Sequence, residues 1–131
     1  MGRVLIVDDD PLVRSLLCGF LTSAGHACVE AEEGANAVRA LERSDFDVVV
    51  IDLLMPVREG VETIGEIRRR WPLVRIIAIS GGSVRLPSAS LLNLAAGMGA
   101  HETLAKPVDE HLLTLLVERQ LRIAPETPPV V

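Results

Sequence analysis

The feature that most constrains the fold is a fivefold alternation between short apolar runs and longer amphipathic stretches. The runs are rich in β-branched residues and nearly free of polar ones, which is typical of strands covered on both faces of a parallel sheet. Because a strand followed by a helix repeats five times, the sequence predicts a doubly wound α/β domain. The clearest runs are residues 4–7, 48–51 and 76–79, and weaker ones surround Cys28 and Leu104.

The amphipathic stretches carry helix signals at their ends. Asp10 can cap a helix that has Pro11 at its first position, Leu16 belongs to its apolar stripe, and Gly25 ends it. Right-handed crossovers at this chain length favour a flavodoxin-like parallel sheet with strand order 2-1-3-4-5. The other predicted helices cover residues 34–43, residues 57–70 before Trp71-Pro72, a stretch that begins near Pro87, and a stretch from after Pro107 to about residue 123.

The fifth helix has apolar residues on more than one face. Leu112, Leu115 and Leu116 are expected to face the sheet. Leu113 and Val117 then lie on another face of the helix. They would form either a partly covered edge of the core or part of a partner surface.

The size and charge of the chain limit what it can do. Its 131 residues suit one domain over residues 1–124, followed by a flexible Pro-rich tail at residues 125–131. A net charge of −5 argues against nucleic acid as a partner, and the arginines at 68–70 and 75 are expected to be solvated. No apolar run approaches the ~20 residues that cross a bilayer, so we expect a cytoplasmic protein with no membrane partner.

Polar side chains follow the predicted strands at one edge of the sheet. Asp8 and Asp9 follow the first strand, Asp52 ends the third, Ser80 ends the fourth, and Lys106 follows the fifth. Ligands of open α/β sheets bind outside the carboxyl ends of the strands, so these residues should meet there. Lys106 is the single lysine of the chain, which makes its position at this edge informative.

These residue types together indicate phosphoryl chemistry. Clustered carboxylates repel each other unless a cation lies between them, and few hard oxygen ligands suit Mg²⁺. Asp9 and Asp52 are the expected direct ligands, with Asp8 acting through water. Asp52 can also be a nucleophile, since carboxylates form acyl phosphates. Lys106 would neutralise the phosphoryl charge, and the Ser80 hydroxyl would donate to one of its oxygens.

Four segments of the sequence, taken in order, resemble the receiver domain of two-component response regulators. They are residues 7–11 (Val-Asp-Asp-Asp-Pro), 52–56 (Asp-Leu-Leu-Met-Pro), 79–81 (Ile-Ser-Gly) and 105–108 (Ala-Lys-Pro-Val). The resemblance implies that a sensor histidine kinase or a histidine phosphotransfer protein donates phosphate to Asp52. It also implies a Mg²⁺ site made by Asp9, Asp52 and the backbone carbonyl of Leu54, with Asp8 assisting.

The resemblance also implies how the domain would pass on its signal after phosphorylation. Ser80 and Thr103 occupy the switch positions, although Thr103 stands where the family often has an aromatic residue. The chain would signal through contacts with an unknown downstream protein, with no DNA-binding output domain. A homodimer could form through the face made by helix 4, strand 5 and helix 5. No enzymatic activity is expected beyond self-catalysed phosphoryl transfer and slow autodephosphorylation.

Two alternatives remain open at this point. A degenerate receiver would bind partners without phosphorylation, although its site residues are all present. A phosphatase of the haloacid-dehalogenase type would use Asp8 as nucleophile, in an Asp-x-Asp that follows the first strand. The aspartate that becomes phosphorylated distinguishes these alternatives from a receiver.

Overall fold

Five strands alternate with five helices along the chain. The structure is a computed structural model that describes residues 1–53, 57–81 and 88–123. Leu54, residue 87 and the tail at 125–131 therefore lie outside the described residues. The elements are β1 (Arg3–Val7), α1 (Pro11–Ser23), β2 (Ala27–Ala31), α2 (Gly34–Arg43), β3 (Val48–Asp52), α3 (Val57–Arg70), β4 (Arg75–Ser80), α4 (Ser88–Gly97), β5 (Glu102–Ala105) and α5 (Glu110–Arg122).

The strands form one parallel sheet in the order β2-β1-β3-β4-β5, which confirms the predicted fold class. The register aligns Val7 with Ile51, and Asp52 with Ile79 on the next strand. At the far strand, Ser80 is aligned with Ala105. The carboxyl ends of β1, β3, β4 and β5 consequently meet at one edge of the sheet.

The core has two layers because successive side chains of a strand point to opposite faces of the sheet. One layer packs alternate strand residues such as Leu5 and Val49 against α2, α3 and α4. The other packs residues such as Ile6 and Val50 against α1 and α5. The three central strands, β1, β3 and β4, are buried almost throughout, as their continuous apolar runs predict.

The predicted first helix has the expected ends. The Asp10 carboxylate accepts a hydrogen bond from the Leu12 backbone N–H at 2.9 Å, and Pro11 is the first helical residue. Gly25 follows the helix with a φ of 96°, a conformation that a residue without Cβ adopts at little cost. Leu16 and Leu17 were both expected in the apolar stripe; Leu17 is buried as expected, whereas the expectation for Leu16 is wrong, since it is 55% exposed.

The expected orientation of α5 is confirmed for Leu116, which is buried, but wrong for the other four residues. Leu113 and Val117 are fully buried, whereas Leu112 and Leu115 are exposed. Two stripes compete on this helix. The stripe through Leu113 continues one turn beyond Val117 to the buried, uncharged Gln120, whereas the stripe through Leu112 continues to the charged Arg119.

Arg75 is buried, contrary to the expectation of a solvated arginine. It opens β4, which lies between β3 and β5, and its backbone N–H donates to the Asp47 carbonyl at 3.0 Å. None of the helices in the described ranges has the length and apolarity needed to cross a membrane.

Shortening a buried β4 side chain should destabilise the domain strongly. Ile77 lies on β4 and is fully buried in the core layer that packs against α1 and α5. Ile77→Ala is expected to lower the free energy of unfolding by about 2–5 kcal/mol, because it leaves a cavity. Leu12→Ala, at a side chain that is 80% exposed, should change it by about 0.5 kcal/mol or less. Urea unfolding measures both, and equal losses would contradict the assigned core.

Candidate functional site

The carboxyl edge of the sheet gathers polar side chains from four strands. Asp8 follows β1, Asp52 ends β3, Ser80 ends β4 and Lys106 follows β5. Asp8, Asp52 and Ser80 are buried, and the Lys106 side chain is 19% exposed. Burial of charged groups is unfavourable unless they are paired, so their contacts define the site.

Lys106 connects the two buried carboxylates. Its ammonium donates to Asp52 Oδ2 at 2.5 Å and lies 3.9 Å from Asp8 Oδ2. The Lys106 backbone N–H donates to the Ser80 carbonyl at 2.9 Å, which continues the pairing of β4 with β5 and fixes the start of the side chain. The Lys106–Pro107 peptide bond is cis. A single positive charge thus serves two buried carboxylates.

Asp8 is the least compensated group of the site. Its Oδ1 accepts from the Asp10 backbone N–H at 2.8 Å, but its buried Oδ2 has no hydrogen-bond partner within the described ranges. Burial and the adjacent Asp52 carboxylate raise the pKa of Asp8 from 3.8 to about 7, against the opposing effects of the Asp10 N–H and Lys106. A buried carboxylate oxygen without a hydrogen bond, beside a second carboxylate, fits a hard cation such as Mg²⁺.

Asp9 and the Leu54 carbonyl are the other predicted metal ligands. Asp9 directly follows Asp8, and its side chain is exposed at the rim. Leu54 lies outside the described residues. In residues 1–53, 57–81 and 88–123, no three His, Cys, Asp or Glu side chains are grouped closely enough to hold a metal ion. Mg²⁺ needs only one or two carboxylates, since it retains several waters.

The two predicted switch residues lie on adjacent strands. Ser80 is buried at the end of β4, whereas Thr103 is exposed on β5, where it is aligned with Ala78. The structure therefore brings Asp8, Asp52, Ser80 and Lys106 to one edge, while Thr103 lies further back along β5. Their roles in phosphorylation stay a prediction.

Arg14 is a neighbour of the site that the sequence analysis missed. Its Nη1 donates to the Asp8 backbone carbonyl at 2.8 Å, and its Nε donates to Glu30 at 3.2 Å. The guanidinium thereby ties the end of β1 to β2. One signal was available, since Arg14 lies one helical turn after the cap residue Asp10 and so faces the same edge. Glu30, its ion-pair partner, is exposed on β2.

Comparison with known proteins identifies the class that this fold and site define. Residues 4–118 match the response regulator receiver domain family, and the chain belongs to that family. The receiver domain of NtrX from Brucella abortus is 28% identical with a TM-score of 0.84, covering 92% of this chain and 99% of that one. The response regulator TrrA from Thermotoga maritima, in complex with Mg²⁺-BeF, is 30% identical with a TM-score of 0.79 and the same coverage of 92% and 99%.

Curated relatives are longer than this chain. The protein-glutamate methylesterase/protein-glutamine glutaminase 1 of Rhodospirillum rubrum is 37% identical over 107 residues, which make up 80% of this chain. Transcriptional regulatory protein GlrR of Escherichia coli K12 is 36% identical over 128 residues, or 96% of this chain. The chain spans only 27% and 28%, respectively, of the lengths of these relatives.

Proposed function

We propose that this receiver domain accepts a phosphoryl group on Asp52 from the phosphohistidine of a sensor kinase or a histidine phosphotransfer protein. The observation that carries the proposal is the Lys106 ammonium, 2.5 Å from Asp52 Oδ2 and shared with the buried Asp8. Such a lysine can neutralise charge both on the nucleophile and on an incoming phosphoryl group. The expected cytoplasmic location stays a prediction.

The transfer is a displacement at phosphorus. An oxygen of the Asp52 carboxylate attacks in line, an O–P bond forms, and the P–N bond to the donor histidine breaks. The electron pair of that bond returns to the imidazole nitrogen, which leaves as the donor's free side chain. Lys106 stabilises the phosphoryl oxygens, and the Ser80 hydroxyl donates to one of them. The domain catalyses its own modification in this way.

The residues that would hold Mg²⁺ are Asp9, Asp52 and the Leu54 carbonyl, with Asp8 assisting. When bound, Mg²⁺ supplies positive charge to the oxygens of the transferring group. The orphaned Asp8 Oδ2 is the feature of this chain that favours a cation there. TrrA, crystallised with Mg²⁺-BeF, provides a precedent in a relative.

A small acyl phosphate tests the proposal without a kinase. Incubation with acetyl phosphate and Mg²⁺ should raise the intact mass by one phosphoryl group. Chelation of Mg²⁺ should prevent the increase, because the repulsion between Asp8, Asp52 and the incoming anion is then opposed by Lys106 alone. An unchanged mass at saturating donor would favour the degenerate receiver.

An apolar face beside the site suits the protein that donates the phosphoryl group. Leu12 and Leu16 lie one turn apart on α1, are 80% and 55% exposed, and directly follow the acidic rim at Asp9 and Asp10. Exposed apolar patches beside polar residues mark interaction sites. We infer that the phosphodonor docks on this face.

Polar substitution on this face should slow transfer from a protein donor alone. Leu12→Ser with Leu16→Ser is expected to reduce the rate from a phosphorylated histidine phosphotransfer domain by about tenfold, since interface anchors contribute more than ~1 kcal/mol each. The rate from acetyl phosphate should not change. Leu112→Ser with Leu115→Ser on α5 is the matched control, and an equal effect there would refute docking on α1.

A second exposed face, formed by α4, β5 and α5, is proposed to bind the protein that receives the signal. Four exposed apolar side chains lie on α4, directly after α4 and on α5, and these helices flank the exposed Thr103 of β5. They are Leu94 on α4, Met98 after it, and Leu112 and Leu115 on α5. Phosphorylation adds about −1.5 to −2 charges beside Ser80 and Lys106, at the ends of the two strands that border this face. We infer that this face binds a second copy or the downstream protein in response. Light scattering with and without acetyl phosphate distinguishes the two.

A further inference from the structure

A groove opens at the edge of the sheet opposite to Asp52. It has a volume of about 560 Å³ and lies between the loop before β3, the loop between α3 and β4, and the end of α5. We name it the basal groove and define it by Phe46, Trp71, Leu73, Gln120 and Ile123, which line it. Its volume is within the roughly 300–1,000 Å³ range of ligand-binding clefts.

The basal groove leaves apolar surface uncovered. Leu73 is 52% exposed and Ile123 is 45% exposed, and both line the groove. Trp71 is only partly buried, and the Arg70 guanidinium stacks over its ring at 4.5 Å. A groove lined by aromatic and apolar side chains is the type of surface that receives proline-rich segments.

The floor of the groove also has an incomplete hydrogen bond. Gln120 is buried, and its Nε2 donates to Glu102 at 2.7 Å, which orients the amide. Its buried Oε1 has no hydrogen-bond partner among the described residues. Buried polar atoms are nearly always paired, so a donor from outside the described residues is expected. The tail that begins at Ala124 is the nearest such segment in sequence, four residues after Gln120.

The chain leaves α5 in a conformation that suits this path. Ile123 caps the helix with a φ of −72° and a ψ of 127°, values close to those of polyproline II. The following residues, 124–131, read Ala-Pro-Glu-Thr-Pro-Pro-Val-Val. Ala124 and Thr127 each precede a proline, a sequence position that disfavours helix. An extended segment of this length reaches about 25 Å at ~3.1 Å per residue.

We propose that residues 124–131 bind in the basal groove of the same chain, with their prolines and valines covering Trp71 and Leu73. The attachment at Ile123, on the rim, gives the tail a high effective concentration for this site. A small apolar contact therefore suffices to hold it. The tail is then a packed part of the domain, in contrast to the flexible tail expected from its composition. This proposal is independent of the phosphorylation chemistry at the opposite edge.

Trp71 provides the test, because it is the single tryptophan of the chain. In the full-length chain, Val130→Asp with Val131→Asp should shift the Trp71 emission to the red and increase its quenching by acrylamide. Leu73→Asp should have the same effect from the groove side. The combined variant should add little to either, since both disrupt one contact. Glu126→Gln is the matched tail control and should leave the emission unchanged.

Three results would overturn the proposal. The first is Trp71 emission and quenching that do not respond to the valine substitutions. The second is additive effects of the tail and groove substitutions, which would show that they act separately. The third is quenching that depends on protein concentration, which would assign the groove to a second copy. Acetyl phosphate labelling of the same variants should remain normal, so a failure here is distinguishable from a failure of the proposed function.

Discussion

Asp52→Ala is expected to abolish phosphorylation of the domain by acetyl phosphate and Mg²⁺, with no increase in intact mass at any time of incubation. Asp52 is the carboxylate that Lys106 contacts at 2.5 Å, and alanine provides no oxygen that could form an acyl phosphate. The remaining acids at the edge lack this contact. Time-resolved mass spectrometry of the intact protein measures the effect as a loss of the whole phosphoryl increment.

A matched control is Asp45→Ala, at an exposed acid near the opposite edge of the sheet. It should be phosphorylated as fast as the wild type. Circular dichroism and urea unfolding establish that Asp52→Ala is folded. A folded Asp52→Ala protein that still gains a phosphoryl group would place the acceptor elsewhere.

Asp8→Asn is expected to make the domain more stable at pH 8 without Mg²⁺, by up to about 4 kcal/mol. The pKa of Asp8 is about 7 in the folded protein and 3.8 when unperturbed. Each unit of pKa difference corresponds to about 1.4 kcal/mol. A raised carboxyl pKa means that the folded state holds its proton more tightly, so the free energy of unfolding falls as the pH rises from about 4 to 7.

The sign of this effect is measurable directly. Urea unfolding of the wild type should show a decline in stability between pH 4 and pH 7 that Asp8→Asn lacks. Asp9→Asn, at the exposed neighbouring acid, should retain the wild-type decline. Added Mg²⁺ should stabilise the wild type at pH 8 and Asp8→Asn much less. Equal pH profiles for Asp8→Asn and the wild type would show that Asp8 is not the group whose pKa is raised.

The fold was predictable because its main signals are local. Buried parallel strands need continuous apolar runs, and residues 48–51 and 76–79 are such runs. The helix caps at Asp10 and Pro11 are set by backbone groups a few residues away. The edge that gathers Asp52 and Lys106 then follows from strand order alone.

The orientation of side chains on amphipathic helices was less predictable. On α5, two overlapping stripes of leucine satisfy the same periodicity, and only packing against β3 and β4 selects the one with Leu113 and Val117. The burial of Arg75, the first residue of β4, was likewise not indicated by its charge. Both outcomes depend on contacts between segments far apart in sequence, which local periodicity does not encode.

The details of the site depended on three-dimensional contacts as well. The ion pair of Arg14 with Glu30 joins α1 to β2. Asp8 Oδ2 lacks a hydrogen bond because the Lys106 ammonium lies closer to Asp52, at 2.5 Å, than to Asp8, at 3.9 Å. Sequence spacing placed the carboxylates at one edge. It did not show that one lysine would serve both Asp8 and Asp52, with the closer contact to Asp52.

The most direct test of the central claim is the position of the phosphoryl group after incubation with acetyl phosphate and Mg²⁺. Reduction of the acyl phosphate with borohydride, followed by proteolysis and mass spectrometry, marks the modified aspartate. We expect modification of Asp52 alone, which is the residue that Lys106 contacts. Modification at Asp8 would instead support the phosphatase alternative, and a protein with no modified aspartate would contradict the proposed function.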